Sequence, residues 1–448
     1  MVPSWLPAVL TTSLLAHLNL LLLLSETDEG ARLRASLRRL MRRLTGEPGL
    51  GRLRWWYLPL AATVGMVIVM SYDFATGLFS CVVPGSPTDI GGFLAQGQAL
   101  WAGTNPFLVT SCGGTIHEPD GLASVLINAV GAPGGLVGIA TVWSLVAIAV
   151  LPLVWVTAGP NRRFVTLVVA TSPIYFPLVS SQIDGASNAL VPVAVLLTLY
   201  LARRRELAAT ALGGFLASQR FPTLFPVLGL SGSLRRRWAA GLAAVGVFAA
   251  ATGLSYVLWG STFVNIVFVS QLGRRSFSLN FWGILLLQGW VPPGDALAIG
   301  QAVATVVLVA VVFFTVRSPL RAATITLVGV ALLTQFLSFN ILVWLLPVAL
   351  VGTRPRFWLW AIAVIGAFNY IYAWGMLAHL DGILWPAEVC DAVLTVLLVA
   401  LFVDLWRARA PDSDSGPGPE ASGPPAPTRI MTAPEVAAVD GSPSNAPS

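Results

Sequence analysis

Ser86-Pro-Thr-Asp-Ile-Gly-Gly-Phe-Leu-Ala-Gln-Gly-Gln-Ala-Leu-Trp-Ala-Gly-Thr-Asn-Pro-Phe107 lies in the longest gap between hydrophobic spans of a 448-residue chain. Ile90, Phe93, Leu94, Leu100 and Trp101 recur at the spacing of one helix face. Gly103 ends that helix, and Asn105-Pro106 turns the chain away. Asp89 stands at the helix start, where it or Thr88 can cap orphan N–H groups. The same carboxylate is a candidate general base, and the choice between the two roles depends on where the surrounding spans place the loop.

Hydrophobic residues make up 56% of the chain and charged residues 10%, with a mean hydropathy of +0.78. Soluble domains carry roughly a quarter charged residues, so the composition predicts an all-α polytopic membrane protein. A β-barrel would alternate over segments of about ten residues. All 26 basic residues are arginine, and the net charge of +6 reads as topology rather than as affinity for nucleic acid. Three cysteines exclude a disulfide scaffold or a zinc cluster.

Residues 5–24 are apolar and long enough to span, about 20 residues being needed. Residues 31–54 hold eight arginines. There a leucine stripe opposes the basic face, the pattern of a helix lying on an anionic membrane surface. Arginine clusters then punctuate the spans at Arg162-Arg163, Arg203–Arg205, Arg235–Arg237, Arg317 and Arg321, Arg354 and Arg356, and Arg407 and Arg409. If each cluster is cytoplasmic, the chain crosses twice between neighbours. Spans are expected at about 55–72, 134–157, 164–179, 187–202, 207–219, 221–231, 238–259, 295–316, 322–337, 341–352, 357–375 and 384–406. Residues 207–231 must then form a hairpin bent at Ser218-Gln219-Arg220-Phe221-Pro222. Helices that short need protein or a water-filled cavity around them. The layout has three parts: an N-terminal segment over 1–54, a transmembrane domain of about 12–13 helices over 55–409, and a disordered Pro/Ser/Gly-rich tail over 410–448.

The opposite, outer side collects the candidate chemistry. Asp89 lies in its first large loop, and an ionisable residue at such a boundary is a functional candidate. Asp184 sits in Gln182-Ile-Asp-Gly-Ala-Ser-Asn188, at the head of the span 187–202; cap and site remain open readings. Arg274-Arg275 breach the positive-inside pattern, either to clamp a phosphate or to meet lipid headgroups. Arg220 sits in the bend beside Pro222, where a buried guanidinium calls for an anion. His379 and Asp381 form either an acid/base pair or a plain loop. Cys81 and Cys112 share the first loop, where oxidation is possible, as a bridge or as two free thiols. Phosphate-cradling glycine loops and metalloprotease or hydrolase signatures are missing, which argues against cytosolic nucleotide chemistry.

This constellation resembles the GT-C superfamily of membrane glycosyltransferases, above all glycosyltransferase family 87 and related α-mannosyltransferases. The family's first loop carries an Asp followed by an "AG-x-x-L-x-x-G-x-x-P-[YF]" run. Here Asp89 leads into Ala95-Gln96-Gly97, Leu100, Gly103 and Asn105-Pro106-Phe107. Gln182 to Asn188 is similar to the family's "GQ-x-N" span head, stretched by inserted residues. Leu207 to Arg237 is similar to its basic, proline-containing hairpin, with Gln219-Arg220, Pro222, Pro226 and Arg235-Arg236-Arg237-Trp238. The late tyrosine-proline-proline run of the first loop is absent.

The resemblance implies an inverting transferase of the plasma membrane, its active site on the extracytoplasmic side. It would take a sugar, mannose above all, from a polyprenyl-phosphate donor to a glycolipid or lipoglycan acceptor. It further implies Asp89 as base and Arg220, with Arg274 or Arg275, on the lipid phosphate. Gln182, Asp184, Asn188, Gln219 and His379 complete the expected substrate site, with membrane lipids as the remaining partners. A monophosphate donor calls for no metal, and no cofactor is expected. The alternatives are a lipid-linked sugar transporter, which would show inverted repeats, and a catalytically silent relative that scaffolds partners.

Overall fold

The computed structural model describes residues 89–111, 114–115, 121–158, 162–170, 172, 187–269, 280–288, 290, 295–334, 340–352, 359, 361–363, 365–366 and 385–407. All lie within one compact unit, Met1–Ala408. The expected span at 5–24, the basic helix at 31–54, the span at 55–72, the Cys81–Cys112 pair and the tail lie outside the described residues.

The first described helix, α1 (Asp89–Trp101), starts and stops where the sequence indicates. Gly103 adopts φ 68°. Its N–H donates to Leu100 O at 3.1 Å, and Thr104 N–H donates to Ala99 O at 2.9 Å, the paired bonds of a left-handed helix end. The buried face differs from the expected one. Trp101 is 69% exposed, while the polar Gln96 is 1% exposed and sits beside Phe93 on the inner face. Asn128 makes that burial possible: its Nδ2 donates to Gln96 Oε1 at 3.0 Å, and Trp143 Nε1 donates to Asn128 Oδ1 at 2.8 Å. A buried polar network of this kind is stable only when its members are satisfied.

A minimal hairpin pairs β1 (Thr110–Ser111) with β2 (Gly114–Thr115). Next come α2 (Leu122–Gly131), a single 3₁₀ turn, and α3 (Gly135–Thr157). The sequence reading left α2 inside the loop, because residues 121–131 carry no charge pattern to separate them from the span that follows. The remaining elements are α4 (Arg162–Ala170), α5 (Leu190–Ala202), α6 (Glu206–Ala217), α7 (Leu224–Ser231) and α8 (Arg237–Val264). After them come α9 (Phe281–Leu287), α10 (Asp295–Thr315), α11 (Pro319–Leu333), α12 (Asn340–Gly352) and α13 (Trp385–Arg407). Among the described residues four helical stretches are long and apolar enough to cross a membrane: Leu122–Thr157, Arg237–Val269, Leu297–Thr315 and Glu388–Arg407. The protein is an all-α polytopic membrane protein.

Two kinds of helix build it. α8, α10 and α13 expose apolar stripes, including Leu254, Val257 and Leu258, Ile299, Val303 and Val306, and Val389, Val393 and Val396. These face lipid, since a stripe of that width in water would be an aggregation hazard. α5, α11 and α12 are largely apolar and mostly buried; Ala322 to Ala331 of α11 are buried without a break. A helix hydrophobic all round is an interior helix. Between helices in lipid, close packing replaces the hydrophobic effect. Gly214 of α6 accordingly lies against the backbone of Ala244 in α8, where an added Cβ would come within 2.2 Å of Ala244 O.

The hairpin expected at 207–231 is present. α6 leaves the arginine end, a bend follows at 218–223, and α7 returns. Its base is closed by Glu206, whose carboxylate accepts the N–H groups of Arg235 (3.2 Å) and Arg236 (2.9 Å). α6 has 12 residues, or about 18 Å, against a hydrocarbon core of about 30 Å. The Phe221 ring meets Phe248, near the middle of α8. The bend therefore sits inside the membrane slab rather than at its surface.

Candidate active site at the intramembrane bend

Four segments meet at the bend. The chain entering α2 contributes Gly121, whose N–H donates to Gln219 O at 2.6 Å, and Ala123, whose N–H donates to Ser218 Oγ at 3.3 Å. The chain entering α5 contributes Ser187 and Asn188, both 0% exposed. α12 contributes Trp344. The bend itself supplies Gln219 and Arg220.

Asn188 is the hub. Its Oδ1 accepts Arg220 Nη1 at 2.7 Å and Trp344 Nε1 at 2.9 Å. Two N–H donors converge on that atom, which fixes it as the amide oxygen. Arg220 Nη2 lies 3.4 Å from Ser187 Oγ, and Gln219 Nε2 donates to Ser187 O at 2.8 Å. Asn188 and Ser187 present neutral oxygens to the guanidinium of Arg220 and so fix its orientation in the bend. Gln219 is fully buried, and its Oε1 has no hydrogen-bond partner among the described residues. The Thr223 hydroxyl, also fully buried, shares that condition. Leaving a buried polar atom unmade costs about 1–3 kcal/mol, a cost that concentrates at functional sites.

An aromatic path runs beside these groups. Phe107, in the turn after α1, packs on Phe263 at 5.4 Å, Phe263 on Phe268 at 5.9 Å, and Phe268 on Phe221 at 6.1 Å. The path depends on Gly260, which takes φ 64° and breaks the direction of α8 so that residues 261–269 return toward the bend. Asn105 anchors the same turn, its Nδ2 donating to Trp259 O at 3.4 Å.

Of the residues expected from sequence, Asn188, Gln219 and Arg220 come together. Asp89 opens α1, and α1 is fixed to α2 through Gln96–Asn128 and through Trp101 Nε1, which donates to Ala129 O at 2.7 Å. α2 thus carries the helix of Asp89 at one part of its length and holds the bend at its first residues. Gln182, Asp184, Arg274, Arg275 and His379 lie outside the described residues. Trp344 and Gly121 were missed. A tryptophan in an apolar run reads as core, and the glycine gave no sign except its place just before α2. No group of three or more His, Cys, Asp or Glu gathers among the described residues.

Residues 127–340 match the model of glycosyltransferase family 87. The match takes in Asn188, Gln219 and Arg220 and begins after Asp89. No curated protein and no solved structure is a significant match to the chain.

Proposed function

We propose, from a glycosyltransferase of family 87 embedded in a membrane, that the chain is an inverting enzyme using a polyprenyl-phosphate sugar, mannose above all. The acceptor is a glycolipid or lipoglycan on the face opposite the arginine clusters, which the positive-inside rule assigns to the outside of the plasma membrane. The observation that carries the reading is Arg220, a guanidinium held inside the slab by Asn188 and Ser187 at a bend where two buried polar atoms have no hydrogen-bond partner among the described residues. Its fork matches a phosphate bidentately. The aromatic path at Phe221 supplies an apolar wall for the prenyl chain beside that phosphate.

In the proposed step an acceptor hydroxyl attacks the anomeric carbon. The bond from that carbon to the phosphate oxygen breaks, and polyprenyl phosphate leaves with the electron pair. Asp89 takes the hydroxyl proton, and Arg220, with Arg274 or Arg275, stabilises the charge gathering on the phosphate. A positioned base contributes about 10² to 10⁴-fold. Asp89→Asn keeps the capping oxygen but takes no proton. Purified Asp89→Asn protein is expected to fold and bind donor while transfer falls by that factor, the signature of an interaction made only in the transition state. Wild-type turnover would leave Asp89 as a helix cap.

A further inference from the structure

A second polar feature stands at the other end of the α6–α7 hairpin and takes no part in the proposed transfer. There the α5–α6 and α7–α8 connections enclose a cleft of about 390 Å³ lined by Arg203, Arg204, Arg205, Glu206, Arg235 and Arg236. All five arginines are exposed. Glu206 is the cleft's acid, and both its oxygens are engaged by the backbone N–H groups of Arg235 and Arg236. It therefore neutralises the start of α8 and leaves the guanidinium groups uncompensated. Arg203 turns away, donating to Val156 O at 3.3 Å and Thr157 O at 3.5 Å at the end of α3. The side chains of Arg204, Arg205, Arg235 and Arg236 make no hydrogen bond or ion pair among the described residues.

The depth of the cleft identifies what can reach it. Tyr200, 41% exposed, stands just before it on α5, and Trp238, 58% exposed, just after it on α8. Trp238 rests on Phe313 at 5.3 Å and Phe314 at 5.6 Å, so its ring is fixed at the lipid-facing surface of α10. Arg162 lies over Trp155 at 5.0 Å on the neighbouring α3–α4 connection. Amphipathic aromatic rings of this kind mark the headgroup level of a bilayer. Four forked cations at that level meet lipid phosphates before they meet a solute.

We propose that this cleft binds the phosphate headgroup of an anionic membrane phospholipid. Basic pockets between helices at the membrane surface take such headgroups, and each arginine near an anionic surface contributes about fivefold to the preference. The site would tie the base of the hairpin to the leaflet while the bend works at mid-depth.

The test uses full-length protein reconstituted in bilayers of phosphatidylcholine with one part in five phosphatidylglycerol. Lipid retained through a mild detergent wash is quantified by mass spectrometry. The wild type is expected to retain phosphatidylglycerol over phosphatidylcholine well beyond its share of the bilayer. Four contributions of about fivefold each multiply to several hundredfold, so the R204Q/R205Q/R235Q/R236Q variant is expected to return the retained lipid to the composition of the bilayer. Should the fourfold variant fail to fold, R204Q/R205Q and R235Q/R236Q are compared separately, each with a partial loss expected. A wild type without enrichment overturns the proposal whatever the variants do, as does a folded variant that keeps it. Displacement of the lipid by inorganic phosphate at low millimolar concentration would make this a site for a free anion and also overturn it. None of these outcomes bears on sugar transfer, which is measured at the bend.

Discussion

Asn188 holds two donors on one oxygen, and that neutral oxygen is what orients Arg220 Nη1. Asn188→Asp is expected to keep the geometry while placing a carboxylate where the amide was. A hydrogen bond between charged partners is worth about 1.5–3 kcal/mol, so Arg220 would turn inward and donor KM would rise about tenfold or more. Melting temperature should hold, and inhibition by added polyprenyl phosphate should weaken in parallel. Unchanged KM would place the donor phosphate away from Arg220. Asn188→Leu strands both N–H groups and should instead cost about 1–3 kcal/mol of stability. At this scale the sequence was informative about identity and silent about pairing. A glutamine, an arginine and an asparagine inside apolar runs are conspicuous. Nothing in their spacing said that Trp344, 156 residues away, would share the oxygen of Asn188.

Among the elements, the contact between α2 and the bend carries the most risk. A Cβ on Gly121 would come within 1.8 Å of Ser218 O. Backbone meets backbone there, so no side-chain adjustment relieves it. Gly121→Ala is expected to lower stability by about 1–3 kcal/mol, the usual cost of overpacking, and to lower transfer further by shifting α2 and with it α1. Thermal unfolding and turnover of the purified variant check both, and a wild-type profile in each would show that α2 is not bound to the bend. Helix limits were legible because arginines and prolines mark the turns; α8 starts at Arg237 and α11 at Pro319. The kink at Gly260 was not, because one glycine in an apolar helix is compatible with both straight and broken paths.

For the molecule as a whole, the long and short helices form an outer, lipid-facing set around an inner, buried one. That division left no periodic trace in the sequence, since a helix in lipid and a helix in a protein core are both apolar all round. What the sequence does propose is a sidedness. Every described arginine outside the bend belongs to a connection or helix end of the kind expected at one membrane face, and Arg321 closes the end of α13 by donating to Leu405 O at 2.6 Å and Trp406 O at 2.7 Å. Thr115→Cys, in the hairpin after α1, is expected to react with an impermeant thiol reagent only from the face opposite the arginines. Labelling from the arginine side would invert the topology and, with it, the side from which an acceptor arrives.

The closed base of the α6–α7 hairpin also bears on how the chain is made. With 12 and 8 residues, neither helix alone reaches the roughly 20 that commit a segment to the bilayer. Arg203–Arg205 and Arg235–Arg237 hold the two ends on one side. During synthesis the pair is therefore expected to wait at the insertion machinery and enter the lipid together, a wedge pushed in from one side. Fused behind a soluble reporter, residues 203–223 alone should remain extractable by alkali, whereas residues 203–237, which carry both helices of the hairpin, should not.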